Sequence, residues 1–237
     1  MMGVRYLNCI KATKGLTRRA MNYTLHEPVP CHEPLQILYA DADCLVVNKP
    51  AGLLSVPGRI IKDSVLNRLV SAFPRVRIVH RLDLDTSGVM VLGLSQLAVS
   101  DLNRQFRERL VRKNYVAEVF GRLDQSQGEI SWPIAPDPVN RPLQKIDPVG
   151  GKPACTQYRL ILQRAGSARV ALSPVTGRSH QLRLHLAHLG HPILGCDLYA
   201  HEAAYKAAPR LMLHAEKLSF GHPISGLAVE FTAPLPF

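Results

Sequence analysis

His80-Arg81-Leu82-Asp83-Leu84-Asp85-Thr86-Ser87-Gly88 runs directly into Val89-Met90-Val91-Leu92-Gly93-Leu94. The first half sets basic residues, two carboxylates and small hydrogen-bonding side chains in one tight segment. The second half is an apolar run that predicts a buried strand, with Gly88 supplying the backbone freedom at the bend. A carboxylate lodged at the end of such a strand is costly unless it is paired. Asp83 and Asp85 therefore belong either to a structural ion pair or to a reactive site. Taken alone, the stretch favours the structural reading, because buried Asp–Arg pairs are ordinary features of folds.

Before this stretch, Leu35–Ala40 and Cys44–Lys49 are apolar runs joined by Asp41-Ala42-Asp43, a hairpin pattern. Pro50–Arg59 is a loop with two Pro and two Gly. It lacks both the Walker and the dinucleotide spacing, so no nucleotide cofactor is expected. Asp63 or Ser64 can cap a helix with Leu66, Leu69, Val70 and Phe73 on one face.

After it, Ser95 can cap a second helix with Leu102, Phe106 and Leu110 on the inner stripe. Arg104, Arg107, Arg109, Arg112 and Lys113 crowd its end and exit, more cations than the helix dipole needs. They read as a patch for an anionic backbone. Tyr115–Phe120 alternates like a strand, and Asn140–Pro153 is a polar excursion with Arg141, Lys145 and Lys152. Thr156–Leu162 and Ala168–Leu172 are strands flanking a turn. Thr176-Gly177-Arg178-Ser179 leads into a helix over Ser179–Leu189 closed by Gly190. Leu211–Phe220 and Leu227–Thr232 complete the strands. Strands outnumber helices, neighbouring strands can pair antiparallel, and no repeat or linker appears, so one α+β domain is expected.

Residues 1–32 differ: Arg5, Lys11, Lys14, Arg18 and Arg19 precede the first acid, Glu27, without periodicity. A transit peptide has this composition. A disordered basic arm, or a start at Met21, is the preferred reading, leaving residues 33–237 as the domain. The whole chain of 237 residues is 46% hydrophobic, with a formal net charge of +11. That bounds it as a globular protein with an anionic partner, nucleic acid ahead of an anionic membrane. The five cysteines are odd in number and scattered without a CxxC pair, which argues against a zinc ribbon or disulfide scaffold and fits a reducing, cytoplasmic compartment. No apolar run is long enough to span a membrane, and no secretory signal is visible.

Four kinds of chemistry compete. His180, His185, His188 and His191 cluster around one helix, yet no Cys or Glu stands at a ligand-like offset, so RNA-facing histidines are expected rather than a metal. Ser/His/Asp hydrolysis lacks a GxSxG elbow. A non-catalytic RNA-binding module would explain the charge but not the carboxylate. A carboxylate acting on a flipped nucleotide needs an arginine to keep it ionised, an aromatic to face the base and a residue to fill the stack. Asp83, Arg183, Tyr115 and Arg81 are of the right types.

Val47–Leu53, Val56-Pro57-Gly58, HRLDLDTSG at 80–88, Lys113–Ala117, Thr176–His185 and Leu213-His214-Ala215 occur in the order seen in the RluA family of pseudouridine synthases. The chain closely resembles that family over about residues 33–237. The resemblance implies a single catalytic domain with a large, mainly antiparallel mixed β-sheet flanked by helices and a basic active-site cleft. It implies an isomerase that converts uridine to pseudouridine without cofactor or metal. Asp83 would be the nucleophile, Arg183 its basic partner and Tyr115 the active-site tyrosine. Asp85, two residues on, would be structural.

Arg81 would fill the space left by the flipped base, and His80, Gly177, Arg178 and Leu213 would bind substrate. Arg104, Arg107, Arg112 and Lys113 would meet the RNA backbone. Pro138–Lys145, with Val139 inserted, and the lack of an N-terminal S4 domain narrow the resemblance to the short members. That implies 23S rRNA and tRNA anticodon stem-loops as substrates, with a monomer needing no obligatory protein partner.

Overall fold

The computed structural model describes residues 29–237. The basic arm expected over 1–32 lies, up to residue 28, outside the described residues. In chain order the elements are β1 (Gln36–Ala40), β2 (Cys44–Lys49), α1 (Val65–Val70), β3 (Arg77–Ile78), β4 (Ser87–Gly93) and α2 (Gln96–Arg107). They continue as β5 (Arg112–Phe120), β6 (Gln127–Ile130), β7 (Ile134–Pro136), β8 (Gln144–Ile146), β9 (Thr156–Gln163) and β10 (Ser167–Pro174). The last are α3 (Gln181–His188), α4 (Glu202–Lys206), β11 (Leu213–Gly221) and β12 (Ala228–Thr232).

One ten-stranded sheet dominates, in the order β1-β2-β4-β11-β5-β10-β9-β6, with β12 added to β11 and β3 to β4. Only β4 and β11 pair parallel; the other pairings in this sheet are antiparallel. The mainly antiparallel mixed sheet flanked by helices is thus the observed architecture. The apolar run at 87–93 forms β4, buried along its whole length as a strand covered on both faces must be.

Register explains how the sheet makes room for a site. Lys49 on β2 lies opposite Gly88, Gly88 pairs with Ala215, Ala215 with Tyr115, and Tyr115 with Leu172. Two small residues therefore sit beside Tyr115 in one row across the strands. Gly88 has φ 119°, and a Cβ there would come within 2.2 Å of the Ala215 carbonyl oxygen. The glycine allows both the bend and the close approach of β11.

Several local expectations shift. In α1 Leu69 is buried and Leu66 and Phe73 pack against the same cluster as expected, joined by Val65, whereas Val70, at the end of the short helix, is exposed. Ser64 caps it, accepting from the Asn67 N–H at 3.2 Å. Ser95 caps α2 as expected, but α2 ends at Arg107, so Leu110 falls outside the stripe and is exposed. The polar excursion contains β8, which pairs antiparallel with β7 to form a separate two-stranded sheet. Helix α3 begins at Gln181 rather than Ser179, and its cap His180 has left-handed backbone with no side-chain cap bond.

Candidate active site

Asp83 sits in the loop that feeds β4, and that loop is pinned on both sides of it. On one side the Ser55 hydroxyl donates to the Leu82 carbonyl at 2.7 Å and accepts from the Leu82 N–H at 3.1 Å. On the other, the Leu84 carbonyl accepts from Lys49 Nζ at 2.9 Å and from the Gly52 N–H at 3.0 Å. Lys49 is fully buried and also donates to the carbonyls of Pro50 and Leu53. Burial pushes its ammonium down to about 7, against the pull of Asp85 and Asp83. The sequence showed Lys49 only as part of a motif; its anchoring role comes from the fold. Held this way, the Asp83 side chain is 31% exposed.

Arg183 rises to meet it from α3, almost wholly buried. Its Nη1 lies 3.9 Å from the Asp83 carboxylate, and its Nη2 makes a short ion pair with Asp197. Nε and Nη2 each approach the Cys196 sulfur at 3.4 Å, and the guanidinium lies 5.7 Å from the Tyr199 ring centroid. Burial opposes the charge on Arg183, but Cys196, Asp197 and Asp83 outweigh it and raise its affinity for the proton. The segment 196–199 that cradles this arginine carried no signal in the sequence. The Tyr199 hydroxyl bonds His180 Nδ1 at 2.7 Å and accepts from the Gln144 N–H at 2.9 Å, tying β8 to the same cluster. Asp85 is pushed upward by burial and then by Asp197.

These groups open into a cavity of about 760 Å³ lined among others by Arg81, Asp83, Tyr115, His180, Arg183 and Leu213. That is a size usual for small-molecule sites, and enough for one nucleotide. The Tyr115 phenol is pushed above its ordinary range by burial and then by Asp83. Arg81 is exposed at the cavity wall, and the Gly177-Arg178 turn closes another side. That turn is fastened by Gln181, whose Oε1 accepts from the Arg178 N–H at 3.0 Å and from the Thr176 hydroxyl at 2.7 Å.

The cationic patch divides. Arg107 and Lys113 line the cavity. Arg104 is held along its own helix by Asp101 at 2.6 Å and Glu108 at 2.9 Å, and Arg112, at the start of β5, is not part of the lining. These intrahelical pairs leave the Arg104 side chain at the helix surface. His80 reaches the cavity edge, but its ring stacks on Phe106 at 4.5 Å and its Nε2 accepts from the Val91 N–H at 3.1 Å.

The clustered histidines divide as well: His180 lines the cavity and His188 is exposed, whereas His185 and His191 are held by groups of the fold. His185 is fully buried between the Thr156 hydroxyl and the Trp132 carbonyl, and His191 bonds the Phe120 carbonyl. Among the described residues, one group with metal-ligand character, Asp41, Cys44 and His222, stands apart from the cavity. There Asp41 already accepts from Tyr39, His222 and two backbone N–H groups.

The buried imidazoles give a pH prediction. Burial pushes His80 down to about 3 and His214, bonded to Ser87 and Ala233, down to about 4. Between those values and the ordinary 6.5 the unfolded chain binds more protons than the fold. Stability is then complete above about pH 6.5 and falls as pH drops, by up to about 1.4 kcal/mol per pH unit for each histidine. Thermal melts from pH 8 to pH 5 test this; a melting temperature unchanged down to pH 5 refutes the neutral assignment.

Comparison with known proteins agrees with this geometry. The family described as RNA pseudouridylate synthase matches residues 43–188. The dual-specificity RNA pseudouridine synthase RluA of Escherichia coli (strain K12) is 50% identical over 212 residues, covering 88% of this chain and 97% of that protein. The Haemophilus influenzae RluA is 47% identical over 211 residues, covering 88% and 96%. Among solved structures, human RNA pseudouridylate synthase domain containing 1 superposes with a TM-score of 0.76 at 32% identity, covering 90% of this chain and 87% of that one. A family match that spans the Asp83 loop, Tyr115 and Arg183, together with relatives aligned over nearly their full length, means that this chain belongs to the RluA family of RNA pseudouridine synthases.

Proposed function

We propose that this synthase isomerises uridines in both 23S rRNA and tRNA stem-loops, the tRNA target lying in the anticodon arm, with Asp83 as the nucleophile. The observation that carries the catalytic reading is Asp83 facing Arg183 at 3.9 Å in the cavity that also holds Tyr115. The dual specificity named for the bacterial relatives supports the pair of substrates.

The chemistry asks little beyond these side chains. The N1–C1′ bond of an extruded uridine breaks, the uracil turns, C5 bonds to C1′, and the C5 proton leaves to solvent while N1 regains one. Atoms and electrons balance within the nucleotide, so no redox cofactor is required. Attack on C1′, addition to the ring and abstraction of a ribose proton all begin from an ionised Asp83. Arg183 faces that carboxylate at 3.9 Å and can orient it toward the sugar.

Tyr115 packs against the base, and Arg81 occupies the gap in the stack, offsetting part of the cost of extrusion. His80 shapes the wall, and Gly177, Arg178 and Leu213 enclose the nucleotide. Arg107 and Lys113 meet the flanking backbone. Residues 33–237 form the catalytic domain, which works as a cytoplasmic monomer; residues 1–32 lie outside its chemistry.

Tritium release from C5-labelled uridine in unmodified tRNA and 23S rRNA transcripts tests the substrate assignment. Release from both supports dual specificity. Release from one alone reduces the enzyme to a single substrate class.

A further inference from the structure

His180 stands in the cavity wall without a part in the chemistry described so far. The other helix caps among the described residues behave alike. Ser64, Ser95 and His201 have extended backbone, and each side chain accepts an N–H of its own first turn. His180 departs from them. Its backbone is left-handed at φ 55°, its ring caps no N–H, and the imidazole reaches instead to the Tyr199 hydroxyl at 2.7 Å. Such backbone is costly outside glycine and is retained where the placement of a side chain matters.

The Tyr199 hydroxyl decides which ring nitrogen carries the proton. Its oxygen accepts the Gln144 N–H at 2.9 Å, and its own proton has one acceptor among the described residues, His180 Nδ1. Donation to Nδ1 places the imidazole proton on Nε2. Burial opposes a second proton on the ring, against the pull of Asp83, so the imidazole is neutral at neutral pH. Nε2 bonds no described residue, yet none of their buried side-chain nitrogens or oxygens lacks a partner. The Nε2–H is therefore open, on the wall that also carries Asp83 and Arg183.

The reaction has a use for such a donor. When the N1–C1′ bond breaks, its electron pair leaves on the uracil and spreads to O2 and O4. A half-turn of the ring about the line through N3 and C6 exchanges N1 with C5 and O2 with O4. One fixed N–H can thus meet a carbonyl oxygen before the turn and its counterpart afterwards, without moving.

We propose that His180 donates from Nε2 to a uracil carbonyl of the extruded uridine, with Tyr199 as the positioning residue that fixes its tautomer. This rests on the cavity being the uridine site. No proton changes hands; the hydrogen bond strengthens as charge develops on the base.

The test compares His180→Asn and His180→Gln with wild type in single-turnover tritium release from C5-labelled tRNA and 23S rRNA transcripts, alongside RNA affinity and thermal melts. Asn puts an amide where Nδ1 stood, so it can keep Tyr199 and suits left-handed backbone, but it leaves nothing at Nε2. Gln puts its amide nitrogen near Nε2 and gives up the Tyr199 bond. Asn should melt no lower than Gln yet release tritium about 10²-fold more slowly than wild type. Gln should stay within about tenfold of wild type, and both should bind RNA within about twofold. Tyr199→Phe should slow the same step by less than Asn does. A brace for the fold gives the opposite order, with rate following stability. The proposal is overturned by Asn turning over within about threefold of wild type, by Asn and Gln slowed alike, or by a loss confined to affinity. Wild type that releases tritium from neither transcript fails the uridine reading itself, and the proposal falls with it.

Discussion

Asp83→Asn is expected to abolish tritium release from C5-labelled uridine, by roughly 10⁴-fold or more, while RNA affinity stays within about twofold. The asparagine keeps shape and volume but cannot supply a carboxylate. The loop should hold its place, because Ser55, Lys49 and Gly52 grip the backbone of Leu82 and Leu84 and do not use the Asp83 side chain. The cations proposed to meet RNA lie on other elements, Arg107 on α2 and Lys113 on β5. Asp85→Asn is the control. Burial and Asp197 already push Asp85 toward its neutral form, so it is poorly suited to act as an ionised nucleophile. Substantial turnover in the Asp83 variant, with loss in the Asp85 variant, would reverse the assignment.

Arg183→Met should show two losses at once: turnover down by roughly 10³-fold and stability down by about 3 kcal/mol. Two carboxylates depend on this guanidinium, Asp83 at 3.9 Å and Asp197 in a short ion pair. Removing it leaves both facing an uncompensated site. The stability figure is set at the lower end for a broken buried pair because the Asp83 and Asp197 side chains remain 31% and 34% exposed. Arg183→Lys restores the charge but not the fork that reaches Asp83, Asp197 and the Cys196 sulfur together, so it should recover stability more than rate. Urea denaturation and single-turnover kinetics separate the two effects. A variant that keeps full turnover while losing stability would make Arg183 a brace for the fold alone.

The sequence was most informative where the determinants are local. The β1–β2 hairpin, the buried run of β4 and the Ser95 cap of α2 follow from periodicity and capping within a few residues. Resemblance suggested the meeting of Asp83, Tyr115 and Arg183; spacing did not. What stayed hidden depends on contacts between distant segments. Lys49 reads as the end of a strand, yet the fold turns it into the buried post under the Asp83 loop. Asp197, Cys196 and Tyr199 lie in a loop without periodicity and matter only because α3 aims Arg183 at them. The run of cations around Arg104 did not reveal its ion pairs with Asp101 and Glu108, one helical turn away on either side. Spacing could not show that His185 and His191 serve the fold, because their partners Thr156, Trp132 and Phe120 lie on distant segments.

The placement of β11 between β4 and β5 has a consequence for the life of the newly made chain. The hairpin and β4 on one side, and β5 with β10 and β9 on the other, are joined in the sheet only through a strand that begins at Leu213. While the ribosome is still making that strand, each half presents an unpaired edge, and the catalytic loop and Tyr115 belong to separate sheets. The two are brought together only once β11 has been made and has paired with both sides. During that interval the unpaired edges of β4 and β5 are open to pairing with other chains.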